Sequence, residues 1–321
     1  MADLDPGSLG EGWERKILEK VALAAIAEQR AARRWGMLFK GLVMGYLFLV
    51  LFVGMNWIKH GDHKSSPGKH TALVELRGVI ASDGMASADN VTFGLKAAFK
   101  DTNTQGVILR INSPGGSPVQ AGYINDEIKR LRTQYPNIPL YAVIEDICAS
   151  GGYYVAVAAD KIFVDKASIV GSIGVVMDGF GFTGVMDKLG VERRALTAGE
   201  NKKFLDPFSP INPAHKEFAE KMLGDIHEQF ITVVRAGRGQ RLKETPEIFS
   251  GLIWVGSRSI ELGLADALGN VESVARDVVK AEDVVDFTPR ENIAERVARK
   301  FGATLAESLV KATAVGGAQL R

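Results

Sequence analysis

Gly106-Val-Ile-Leu-Arg-Ile-Asn-Ser-Pro-Gly-Gly-Ser117 and Leu140-Tyr-Ala-Val-Ile-Glu-Asp-Ile-Cys-Ala-Ser-Gly-Gly-Tyr-Tyr154 share one plan. Each opens on a short β-branched and aliphatic run, passes through a polar loop with paired glycines, and enters a helical pattern. The runs predict strands over Gly106–Ile111 and Leu140–Ile144, followed by helices over Val119–Arg132 and Gly151–Ala159. Strand, helix, strand, helix in that order is a pair of βαβ units, which places the two strands parallel in one sheet. Working outward, Ala72–Leu76 and Lys161–Val164 read as further strands and Thr92–Lys100 as a helix. An Asn cap and a proline in the first turn open a long helix over Asn212–Gly237. The fold class is therefore α/β, a mainly parallel sheet covered by helices. A last amphipathic helix is expected at about Asn292–Ala314.

Composition narrows the function classes. The 321 residues carry 39 lysines and arginines against 38 acids, a formal charge of +1. That balance lacks the basic footprint of a nucleic-acid binder. Cys148 is the single cysteine, which excludes an intramolecular disulfide and a cysteine-rich zinc site.

Residues 41–58 carry no charge, and as a helix they would extend about 27 Å, close to the hydrocarbon thickness of a bilayer. Trp35 and Trp57 bracket the run at interfacial positions. Arg30, Arg33, Arg34 and Lys40 precede it, so the positive-inside bias orients the N-terminus to the cytoplasm and exports the bulk of the chain. The expected organisation is a cytoplasmic amphipathic segment at 1–36, a transmembrane helix at 37–58, a polar linker at 59–70, a catalytic domain at 71–290 and the C-terminal helix at 291–321. His60, His63 and His70 sit among Gly, Asp, Lys, Ser and Pro and read as part of the linker, not as a metal site.

Chemistry concentrates in the glycine loops. Gly115 and Gly116, between strand and helix, leave backbone N–H groups approachable, as an oxyanion cradle requires. Ser150 stands between a strand and a helix like the serine of a nucleophile elbow, with Cys148 where Gly-x-Ser-x-Gly has its first glycine. A plain N-cap is the competing reading of that serine. No histidine is placed to complete a triad: His215 and His227 fall on the long helix. A lysine can be the base where burial lowers its pKa from about 10.4, and Lys202 is flanked by Phe204, Leu205 and Phe208. Gly179-Phe-Gly-Phe-Thr-Gly184 matches a dinucleotide fingerprint in letters, but only Val185–Leu189 follows it, too short for the crossover helix.

Four ordered motifs, Asn112-Ser-Pro-Gly-Gly116, Ala149-Ser-Gly-Gly-Tyr-Tyr154, Gly171-Ser-Ile-Gly174 and Gly199-Glu-Asn-Lys202, make residues 71–285 resemble the signal peptide peptidase A family, the membrane-anchored Ser-Lys peptidases of bacteria. The resemblance implies Ser150 as nucleophile, Lys202 as general base and Ser172 as the serine that orients the lysine. It also implies the backbone N–H groups of Gly116 and Gly151 as oxyanion donors, and a Clp protease/crotonase-like fold. Asn201 stands where the family commonly has tyrosine, and Lys203 is a neighbouring candidate amine; Lys202 keeps the Gly-x-x-Lys spacing. The resemblance further implies cleavage of remnant signal peptides and other hydrophobic peptides through an acyl-enzyme. It implies a bacterial inner-membrane location with a periplasmic catalytic domain, and a ring-shaped homo-oligomer whose serine and lysine come from neighbouring subunits. No metal or cofactor is expected. A non-catalytic membrane scaffold and a crotonase-type acyl-CoA enzyme are the alternatives; neither requires a Ser-Lys pair.

Overall fold

The computed structural model describes residues 13–59 and 68–289. Two compact units divide the chain, Met1–Asp62 and His63–Arg321. In the first, α1 (Trp13–Lys59) is one helix of 47 residues, so no break separates the expected amphipathic segment from the expected span. Among the described residues no helix is long and apolar enough to cross a membrane. Residues 51–58 of the expected span lie outside the residues whose side chains are described. His60, His63 and the expected C-terminal helix at 291–321 also lie outside the described residues.

The second unit is built on an eight-stranded sheet. Its strands are β1 (His70–Arg77), β2 (Thr104–Ser113), β3 (Leu140–Ala149), β4 (Lys161–Val164), β5 (Ile169–Gly171), β6 (Ile253–Val255), β7 (Ala267–Leu268) and β8 (Val284–Asp286). The main path runs β6-β5-β3-β2-β1-β8, and β4 joins β3 to β7. All pairings are parallel except β5 with β6. Helices α2 (Ala88–Lys100), α3 (Pro118–Gln134) and α4 (Gly151–Ala156) cover one face. There Leu76, Leu95, Leu109, Ile124, Ile144 and Tyr153 belong to the larger apolar core. A smaller core lies on the alternate strand positions Leu73, Ile108, Val143 and Phe163, as a pleat of period two requires, with Val274 from a helix packed among them.

The alternating elements expected from the sequence are present, with three differences. His70 belongs to β1, not to the linker: it is fully buried and its ring stacks on Phe287. Strand β3 runs five residues beyond Ile144, through Glu145 and Asp146 to Ala149. Its first half pairs β4 through Tyr141–Val143 and its last three residues pair β5 through Ile147–Ala149. The polar pair therefore sits where the strand changes partner, an arrangement that local hydropathy does not encode. Third, the helix after Ser150 ends at Ala156. Gly179, Gly181 and Gly184 lie in exposed chain with open space around each Cβ position, and α5 (Thr183–Leu189) has no buried residue. That is no dinucleotide cradle.

Candidate active site

The parallel order of β2 and β3 brings the two glycine loops together at one end of the sheet. Ser113 pairs with Cys148 in the ladder, so the chain leaving β2 and the chain leaving β3 turn side by side. Gly115 has φ 99°, and a Cβ there would lie 2.7 Å from the Gly151 nitrogen and 2.8 Å from Ser150 Cβ. Gly116 has φ 145°, and its Cβ would fall 2.2 Å from the Ile80 carbonyl oxygen. Only glycine allows this approach.

The hydrogen bonds around this turn leave two donors over. Ile80 donates its N–H to Gly115 C=O (2.8 Å) and accepts from Ser117 N–H (2.9 Å), while Gly115 N–H goes to the buried Ser113 hydroxyl (3.1 Å). Among the described residues the N–H groups of Gly116 and Gly151 have no hydrogen-bond acceptor. The Gly116 nitrogen lies 3.3 Å from where a Gly151 Cβ would be, so the two free amides are neighbours. Two preorganised donors at the start of a helix suit a developing oxyanion.

Ser150 stands between them at φ 51°, ψ −122°, and its side chain makes no cap bond to α4. The N-cap reading of this serine therefore fails: the hydroxyl is not spent on the helix. A non-glycine residue in this backbone region is strained by about 1–3 kcal/mol, a feature that clusters at active sites. The strain is held by Ser150 N–H donating to Gly171 C=O (2.8 Å) and by Tyr154 N–H donating to Ser150 C=O (3.0 Å). Next to it, Ser172 leaves β5 at φ 53°, its N–H bonded to Leu252 C=O (2.7 Å). Ser150, Ser172, Gly116 and Gly151 are thus assembled at one place.

Lys202 is not. It is exposed, in a turn closed by Lys202 N–H to Gly199 C=O (3.2 Å). Among the described residues no hydrogen bond joins its amine to Ser150 or Ser172. Helix α6 (Pro213–Arg238) explains the separation. His215 donates from Nε2 to Asn201 Oδ1 (3.1 Å), and Phe204 packs on His215 and Phe218. Twelve residues on, His227 donates from Nε2 to Ile173 C=O (3.1 Å). Twelve residues of helix are about 18 Å, so α6 pins the lysine turn and the Ser172 loop well apart. The two histidines that form no triad hold these turns instead; their roles required knowing what α6 touches.

Comparison with known proteins bears on the family. The model of peptidase family S49 matches residues 132–285. "Putative protease slr0021" of Synechocystis sp. is 32% identical over 209 residues, covering 65% of this chain and 73% of that protein. "Putative signal peptide peptidase SppA" of Enterococcus faecium is 28% identical over 247 residues, 74% of this chain and 71% of that protein. "Na(+)/H(+) antiporter NhaA" of Brucella abortus is 41% identical over 209 residues, 64% of this chain, but the chain spans only 28% of that protein's length. With these matches on a largely parallel α/β sheet, the chain belongs to peptidase family S49, a family of Clp protease/crotonase-like fold.

Proposed function

We propose that this protein is a membrane-bound serine endopeptidase that cleaves remnant signal peptides and other exposed hydrophobic peptides with a Ser150–Lys202 dyad. The observation that carries the reading is Ser150 at φ 51° between the unpaired N–H groups of Gly116 and Gly151. In the reaction, Ser150 Oγ attacks the scissile carbonyl and passes its proton to the Lys202 amine. The Gly116 and Gly151 N–H groups take the oxyanion. Collapse expels the amine fragment, protonated by Lys202, and leaves an acyl-serine. Water then attacks the ester, Lys202 again accepts the proton, and Ser150 is regenerated. Ser172 orients the amine between steps.

A base at Lys202 needs a neutral amine, hence a desolvated one, and the single chain leaves this residue exposed. A dyad shared between adjacent subunits of a ring meets both that need and the separation along α6. Exposed Val176, Phe180, Leu189, Leu196 and Ile211, in the segment on either side of the lysine turn, offer the apolar surface such a contact would cover. Residues 37–58 would anchor the ring, with the N-terminus cytoplasmic and the peptidase domain periplasmic, where signal-peptide remnants leave the bilayer. The direct test is covalent labelling of the full-length protein by a serine-directed phosphonate, with the adduct located by peptide mass. Labelling at Ser150 that a hydrophobic peptide protects against is the expected result; an unlabelled but folded ring would remove the serine mechanism.

A further inference from the structure

One buried polar side chain joins the two helices that follow the oxyanion loops. Asn125, on α3, is fully buried. Its Nδ2 donates to the Tyr154 carbonyl at 2.7 Å, and its buried Oδ1 has no partner among the described residues. The amide orientation is forced, because a carbonyl can only accept. Tyr154 lies in the last turn of α4, where helix carbonyls lack intrahelical partners. The backbone bonds there go elsewhere: Val157 N–H to Tyr153 C=O and Ala158 N–H to Val155 C=O. Asn125 is therefore the cap of an otherwise orphaned carbonyl. Arg132, seven residues on and so on the same face of α3, donates to Ala158 C=O at 2.6 Å just beyond α4.

The position of these bonds is what gives them meaning. Gly116 immediately precedes Ser117, the N-cap of α3, and α4 begins at Gly151. Each helix carries one oxyanion donor at its N-terminal end, and α4 is only six residues long. A helix of that length has little propensity to hold its own axis. Leaving half of a buried amide unsatisfied is unfavourable, and an apolar residue of the same volume would avoid it. We propose that Asn125 is a positioning residue for the oxyanion hole: by tying the far end of α4 to α3, it fixes the separation of the Gly116 and Gly151 N–H groups. This rests on the serine-peptidase reading above.

The test uses the full-length protein with Asn125→Leu, similar in branching but larger, and Asn125→Ala, smaller, both without any hydrogen-bond donor. An internally quenched apolar peptide gives kcat and KM; a peptide aldehyde, which forms a tetrahedral adduct on Ser150, and the matching product peptide give two affinities. Misplaced donors weaken binding only where negative charge develops. Loss of an entire oxyanion donor lowers kcat about 10²–10³-fold, so displacement should give about tenfold or more, with KM within twofold. Aldehyde affinity should fall in parallel while product-peptide affinity holds. Should Asn125→Leu not fold, Asn125→Ala alone decides the matter, with oligomer mass confirming assembly. Folded variants with unchanged kcat, or with aldehyde and product affinities falling together, overturn the proposal. Ser150→Ala is run alongside: if it still hydrolyses peptide, the serine reading itself falls, whereas an inactive Ser150→Ala beside fully active Asn125 variants rejects only the positioning role.

Discussion

Ser150 and Ser172 leave adjacent parallel strands side by side, both at left-handed φ, 51° and 53°, and joined through the Ser150 N–H bond to Gly171 C=O at 2.8 Å. Their strands meet only through the last residues of β3, Ile147–Ala149. The extension of β3 past Glu145 and Asp146 is thus what brings the proposed nucleophile beside the serine proposed to orient the base. Had the strand ended at Ile144, the two serines would have no common frame.

Replacing Ser150 separates chemistry from strain. Ser150→Ala should abolish hydrolysis and leave the melting temperature close to wild type, because alanine keeps the strained backbone. Ser150→Gly should be equally inactive yet more stable by about 1 kcal/mol, since glycine adopts φ 51° without a Cβ clash. Thermal melts of the two inactive proteins check this. A Ser150→Gly protein no more stable than Ser150→Ala would mean the turn holds no strain.

Lys202→Ala should be as inactive as Ser150→Ala, because residues acting as one unit are not additive, while Lys203→Ala should keep activity. Co-expressed Ser150→Ala and Lys202→Ala chains should recover partial activity, since mixed rings contain interfaces with one intact serine and one intact lysine. Mixed rings verified by mass that stay inactive would place the dyad within one chain.

The buried Arg238–Asp266 pair should govern part of the acid stability. Arg238 is 1% exposed and binds Asp266 bidentately, both bonds 2.9 Å, with a further donor from Ile162 N–H at 2.7 Å. Burial alone would raise the Asp266 pKa, but the Arg238 hydrogen bonds, the Ile162 amide and the Arg238 and Arg241 charges outweigh it and hold the carboxyl below the usual range. A depressed carboxylate contributes stability above its unfolded pKa of about 3.9 and loses it as pH falls through the folded value. Asp266→Asn should therefore cost about 3–5 kcal/mol at neutral pH, and its gap to wild type should narrow below about pH 4. Denaturant melts at pH 7 and pH 3 measure both; a gap independent of pH would assign the loss to packing.

Local patterning was enough to determine the alternating strands and helices of the second unit, because apolar period and glycine punctuation are properties of neighbouring residues. The same holds for the long cap-initiated helix: the Ala214 N–H bond to the Asn212 side-chain oxygen and Pro213 at its start are both local. Strands β5 to β8 are two or three residues long, too short to carry a period, and only pairing defines them. The glycine loops and Ser150 were visible as types in a pattern; that Gly116 and Gly151 have unspent N–H groups depended on what Ile80 and Ser113 consume from distant parts of the chain. Asn125 in a helix reads as an ordinary polar residue until Tyr154 is placed against it. His215 and His227 likewise gained roles only when α6 met the turns at Asn201 and Ile173. Hydrogen-bond satisfaction and burial are sums over residues far apart in sequence, so tertiary structure alone could decide them.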